Sequence, residues 1–235
     1  MNSRLQIFQN PVLEIAAQIE IAARESIAAR GRFSIALSGG STPKALYRLL
    51  ASDAWKTRIE WPQCDVFFGD ERAVSPDDAL SNFKMASEAL LNHVAARVFR
   101  MEAERPDLEN AARDYQNLIQ DRCDRLDLVL LGLGDDGHTA SLFPHSPQLN
   151  ERENWVTATP VASLDPHVRR LTLTFPAINA ARRAWFLASG AGKAERLQQV
   201  LSDSRDVETL PAQGIALKDG ELKWFVDEAA ARLIS

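Results

Sequence analysis

Leu126-Asp127-Leu128-Val129-Leu130-Leu131-Gly132-Leu133-Gly134-Asp135-Asp136-Gly137-His138 is the stretch on which the reading of this chain turns. Leu126 to Leu131 is a short apolar run of the kind found in strands buried on both faces. It stops at a glycine and delivers two carboxylates and a histidine just beyond its end. In open α/β sheets, ligands bind outside the carboxyl ends of the strands. Histidine is the side chain whose charge changes near neutral pH. The segment therefore predicts a buried strand with His138 as a candidate acid–base group and Asp136 beside it to orient the ring.

Gly132, Gly134 and Gly137 also match G-x-G-x-x-G letter for letter. That dinucleotide fingerprint works only if a helix starts at the last glycine with its N-terminus on a pyrophosphate. Pro144 and Pro147 cut the following segment short, and Asp135 and Asp136 would repel the anion. The dinucleotide reading is set aside on those grounds.

Outward from this strand, apolar runs alternate with helical patterns. Strands are expected near Arg4–Phe8, Arg32–Leu37, Asp65–Phe68, Val156–Thr159, Arg170–Phe175 and Ala184–Ala188. Helices are expected from Pro11 to about Ala29, from Pro43 to about Ala51, over Asn82–Val94 and Pro106–Cys123, and after Lys193. Asp219-Gly220, between Gly214–Leu217 and Leu222–Val226, reads as a hairpin turn, and Asp227 as the cap of a last short helix. Pro144–Pro166 is the most loop-like region and a candidate lid. Strands alternating with helices predict an α/β protein with a mostly parallel sheet covered on both faces, in one domain over residues 1–235.

Bulk properties narrow the function class. The 46% hydrophobic and 25% charged content of the 235 residues suffices for a sizeable core. A net charge of −5 argues against a nucleic-acid-binding surface, so an anionic ligand needs a local cationic pocket. No apolar run approaches the ~20 residues that span a bilayer, and Met1–Asn10 lacks the pattern of a secretory leader. Cys64 and Cys123 have neither metal-type nor redox spacing and read as free thiols, so a cytoplasmic protein is expected.

Ser38-Gly39-Gly40-Ser41-Thr42-Pro43 is the second informative segment. Its glycines allow close backbone approach, Thr42 and Pro43 suit the cap and first position of a helix, and a helix N-terminus favours phosphate. The spacing is not that of a Walker loop. Arg72, in Gly69-Asp70-Glu71-Arg72 followed by a polar loop, can fork onto a phosphate or pair with its acidic neighbours on the surface. Lys193 after a glycine-rich turn is a candidate phosphate ligand or a solvated lysine, and Arg169 and Arg170 are anion clamps or surface charges. Ser141 has no nucleophile elbow around it, and His145 lacks the partners of a metal site. The five tryptophans are scattered and read as packing.

Taken together, Leu37–Pro43, Phe68–Arg72 with Ser81-Asn82, Gly132–Pro144, Arg170–Thr174 and Gly192-Lys193 resemble the 6-phosphogluconolactonase family over nearly the whole chain. The resemblance implies a Rossmann-like three-layer α/β/α sandwich, shared with glucosamine-6-phosphate deaminases and ribose-5-phosphate isomerases. It implies hydrolysis of 6-phospho-D-glucono-1,5-lactone, a step of the oxidative pentose phosphate pathway. His138 would be the general base and Asp136 its positioning partner. Gly39, Gly40, Ser41 and Thr42 would meet the phosphate, with Arg72 and Lys193 on the anionic end of the substrate and Arg170 a further contact. It implies no metal and no organic cofactor; no nucleic acid, no membrane and no obligate protein partner are expected. Deaminases continue the Asp-Gly-His turn into Asn-Glu-Pro, where this chain has Leu142-Phe143-Pro144. The missing carboxylate favours the lactonase.

Overall fold

Every residue of Phe33–Leu37, Cys64–Phe68 and Leu128–Leu131 is buried, which requires protein on both faces of the strands they form. The computed structural model describes residues 3–162 and 165–234. Its strands are β1 (Ser3–Phe8), β2 (Phe33–Leu37), β3 (Cys64–Phe68), β4 (Asp70–Arg72), β5 (Arg97–Val98), β6 (Leu128–Leu131), β7 (Val156–Ala158), β8 (Arg170–Leu173), β9 (Arg183–Ala188) and β10 (Glu221–Asp227). Its α-helices are α1 (Pro11–Arg30), α2 (Ser41–Leu50), α3 (Asn82–Ala89), α4 (Leu108–Arg122), α5 (Phe175–Ala180), α6 (Ala194–Leu201) and α7 (Glu228–Ala231).

Seven strands form one sheet in the order β1-β10-β9-β6-β2-β3-β5, and every neighbouring pair in it is parallel. With its covering helices this is the expected α/β/α sandwich. From β2 the chain builds outward through β3 and β5, then returns to β6 on the other side of β2 and builds the opposite way through β9 and β10. The direction of winding reverses between β2 and β6. Their carboxyl ends therefore diverge around a crevice, the place where open sheets of this kind bind ligands. A second sheet, β4-β8-β7, is antiparallel and sets Arg72 opposite Arg170.

The two ends of the main sheet are built differently. At the amino end, Asp127 accepts from the Ser34 amide at 2.9 Å and from Arg30 at 2.6 Å, and Asp65 pairs with both Arg32 and Arg97 at 2.7 Å. At the carboxyl end, two buried tyrosines pin the strand termini. The Tyr47 hydroxyl donates to the Ser38 carbonyl and accepts from its amide, and Tyr115 accepts from the Phe68 amide and donates to the Phe99 carbonyl. Burial raises the pKa of both phenols, keeping them neutral donors.

Several local expectations change. α2 starts at Ser41 with Gly40 as its cap at φ +108°, not at Pro43 with Thr42 as cap. That φ suits glycine and no β-carbon-bearing residue, so the cap sits where the backbone can turn. Gly69–Arg72 follows the end of β3 as expected, but it is not irregular. Asp70–Arg72 forms β4, with Asp70 and Glu71 buried. The Asp219-Gly220 hairpin is absent because β10 lies between β1 and β9 and both its edges are taken by parallel partners. The helix after Asn82 stops at Ala89, and Phe175–Ala180 is helical rather than a continuation of β8. The loop-like region carries β7, and 163–164 within it lie outside the described residues. Asp227 caps α7 as expected, accepting from the Ala230 amide. Both cysteines are free thiols. Among the described residues no helix is long and apolar enough to cross a membrane.

Candidate active site

The loop after β6 turns back on itself within a few residues. The Gly134 amide donates to the His138 carbonyl at 2.9 Å and the Gly137 amide to the Gly134 carbonyl at 3.1 Å. This folds the imidazole over Gly134, where a β-carbon would lie 2.1 Å from His138 Nδ1, so only glycine fits beneath the ring. Asp136 Oδ1 lies 2.5 Å from His138 Nδ1 and accepts from the His138 amide at 3.0 Å. Burial pushes the Asp136 carboxyl up, but the His138 ring and amide outweigh this and its pKa falls below the ordinary value. An ionised Asp136 can only accept, so the Nδ1 facing it carries a proton and Nε2 is the ring nitrogen left to exchange one. The Phe143 ring packs against the imidazole at 4.7 Å between centroids.

The crevice between β2 and β6 opens as two adjoining chambers. The inner one, about 170 Å³, is lined by residues that include Gly39, Gly40, Arg72, Asn82, His138 and Arg170. The outer one, about 630 Å³, includes His138, Phe143, Arg170, Lys193 and Arg196. His138, Arg72, Arg170 and Gly134 border both. The imidazole and the Gly39–Gly40 turn, a hundred residues apart in the chain, therefore face one shared space. Ser41 and Thr42 start α2 beside this space but do not line either chamber. Their amides belong to the first helical turn, which has no intrahelical acceptor.

Arg72 and Arg170 form the cationic wall. Arg72 Nη1 donates to Asn82 Oδ1 at 2.6 Å and to the Leu80 carbonyl at 2.7 Å. Arg170 is 4% exposed, lies 4.0 Å from Asp70 and stacks over Phe143 at 5.0 Å. Burial lowers its pKa, the Asp70 charge opposes this, and Arg72 lowers it further. The Nε atoms of both arginines are buried without a hydrogen-bond partner. Like charges held opposite one another are unfavourable across a strand pair, and here both side chains line the same cavity. Such an arrangement suits an oxyanion. Arg169, by contrast, pairs with Glu109 outside the crevice at 2.5 Å. Lys193 lines the outer chamber with its ammonium on Asp135.

A supporting network was not visible in the chain. Asn82 bridges Arg72 to Asp70, donating to the Asp70 carbonyl at 2.9 Å. Ser141 Oγ donates to Asp70 at 2.6 Å, so this hydroxyl is committed to a carboxylate and not to a reacting centre. Glu71, its pKa raised by burial against the pull of three amides, anchors the start of α3 by accepting from the Asn82 and Phe83 amides. The one signal available was Ser81-Asn82 following Arg72 within the segment that carries the resemblance. No group of three or more His, Cys, Asp or Glu side chains placed to hold a metal ion occurs among the described residues.

The chain is similar to known proteins in sequence and in fold. Residues 9–224 match the family described as glucosamine-6-phosphate isomerases/6-phosphogluconolactonase. A protein of Synechocystis sp. named 6-phosphogluconolactonase is 42% identical over 216 residues, spanning 88% of this chain and 86% of its own length. The solved 6-phosphogluconolactonase of Thermotoga maritima superposes with a TM-score of 0.85 at 30% identity, covering 96% of this chain and 100% of that one. That of Trypanosoma cruzi gives 0.88 at 29% identity, covering 100% and 97%. On its sequence and its fold, the chain belongs to the glucosamine-6-phosphate isomerase/6-phosphogluconolactonase family.

Proposed function

We propose that the chain, as one lactonase domain, hydrolyses 6-phospho-D-glucono-1,5-lactone to 6-phospho-D-gluconate, with His138 as general base. The observation that carries the reading is an imidazole whose Nδ1 is held by Asp136, opening into the space walled by Arg72 and Arg170. His138 Nε2 takes a proton from water as the water oxygen attacks the lactone carbonyl. The tetrahedral intermediate puts negative charge on the former carbonyl oxygen, and donors such as strand-end amides stabilise it. When the ring C–O bond breaks, the imidazolium returns its proton to the departing ring oxygen. Asp136 steadies the transient cation without leaving its carboxylate form. The phosphate, held by the turn at Gly39–Thr42, Arg72 and Lys193 with Arg170 as a further contact, fixes the ring for attack.

Phe143 supports the lactonase over the deaminase, since an apolar ring packs against His138 in the segment where deaminases place a glutamate. The free thiols are compatible with a cytoplasmic enzyme, although relatives include proteins named as chloroplastic. The direct test follows acid release from freshly prepared 6-phosphogluconolactone. Acceleration over buffer is expected, with no ammonia released from glucosamine 6-phosphate. Folded protein that leaves the spontaneous rate unchanged would reject the proposal.

A further inference from the structure

Asp135 is a carboxylate in the outer chamber that the proposed reaction leaves unused. Its neighbour Asp136 is committed to His138, whereas Asp135 Oδ1 lies 2.5 Å from Lys193 Nζ. The aspartate side chain is 85% exposed and the lysine 29%. Arg196 Nε separately donates to the main-chain carbonyl of Asp135 at 2.8 Å. The loop is thus tied to α6 by a contact that does not use the Asp135 side chain. The lysine expected to hold substrate already rests on an internal anion.

We propose that Asp135 is a displaceable counter-anion that acts through Lys193 to set the affinity for anionic sugar ligands. It rests on the phosphosugar reading above. In the free protein the carboxylate parks the ammonium at the mouth of the outer chamber. An arriving phosphate, with more charge and more acceptor oxygens than a carboxylate, draws the ammonium away. The flexible lysine stem allows the exchange while Arg196 keeps the loop in place. Breaking the parked contact is a cost that every binding event meets. Exposed ion pairs are weak, so that cost corresponds to about two- to fivefold in affinity. Asp135 is a positioning residue on this account, since it acts on the ligand only through Lys193.

The test compares wild type, Asp135→Asn, Asp135→Glu, Lys193→Ala and the Asp135→Asn/Lys193→Ala pair. KM and kcat are read with 6-phosphogluconolactone, and Kd by calorimetry with 6-phosphogluconate. Asp135→Asn should lower KM and Kd about two- to fivefold with a smaller change in kcat. Asp135→Glu, which keeps the charge, should stay near wild type. In the Lys193→Ala background the Asn substitution should do nothing, because the residue it acts through is gone. An unchanged or raised KM in folded Asp135→Asn overturns the proposal. So does an equal drop without Lys193, which would mean simple removal of a repelling charge. Wild-type protein that neither hydrolyses the lactone nor binds 6-phosphogluconate sinks the functional reading itself. Wild type that does both, beside an Asp135→Asn variant that matches it, sinks the counter-anion alone.

Discussion

His138 and Asp136 carry the sharpest consequences of single side chains. Replacing His138 by alanine removes the proton acceptor, and kcat should fall on the order of 10²- to 10⁴-fold with KM little changed. Lys193→Ala should act mainly on KM. Steady-state kinetics on both variants checks the division of roles, and the reverse pattern would exchange them. Asp136 also predicts a pH-dependent stability. Its folded pKa lies below the ordinary value, so its contribution is complete above that value and is lost as the pH falls through the folded one. The difference in unfolding free energy between wild type and Asp136→Asn should therefore be level above about pH 4 and shrink on further acidification. Denaturant titrations at several pH values measure it, and a gap that widens toward acid would contradict the assignment.

At the scale of elements, the site depends on two turns in which another residue's side chain lies where a glycine's β-carbon would be. An alanine at Gly134 would press on the imidazole, and one at Gly39 would lie 2.1 Å from Asn82 Oδ1, the acceptor that holds Arg72. Gly134→Ala should lower kcat by swinging His138 off Asp136, on the order of tenfold or more. Gly39→Ala should instead raise KM by releasing Arg72. Crystal structures of the two variants would show the displaced ring and the displaced amide. The pairing of β4 with β8 makes a further point about what a chain reveals. Arg169 and Arg170 are indistinguishable as neighbours in sequence, but the strand sends them to opposite sides. One meets Glu109 and the other enters the crevice. The bonds of Asp70 to Ser141 and of Asn82 to Arg72 are tertiary in the same way, fixed by that pairing and by the start of α3.

For the whole molecule, chemistry and cohesion are divided between the two ends of the parallel sheet. Asp127 ties β2 to the start of β6 through Ser34, Arg30 and Arg182, at the end away from the crevice. Asp127→Ala should cost about 2–4 kcal/mol, because the Ser34 amide and a guanidinium lose a buried partner. Urea denaturation measures that loss, and kcat of the folded variant should stay at the wild-type level. A fall in kcat comparable to that of His138→Ala would show that the two ends are not separate.

The chain by itself determined the elements whose cause is local. The apolar run Leu128–Leu131, the glycines around it, Pro11 before α1 and Asp227 before α7 declare themselves through near-neighbour sterics, hydrogen bonding and burial periodicity. His138 and the Gly39–Gly40 turn stood out because each follows a strand, where α/β sheets place their ligands. Tertiary structure alone decided what depends on contacts between distant segments. It made Asp219-Gly220 the entry to a parallel strand paired on both edges rather than a hairpin, moved the cap of α2 to Gly40 and buried Asp70 and Glu71. It also brought His138 and the Gly39–Gly40 turn to one crevice by reversing the winding between β2 and β6. Strand order is chosen by the burial of the whole sheet, and no window of neighbouring residues contains that sum.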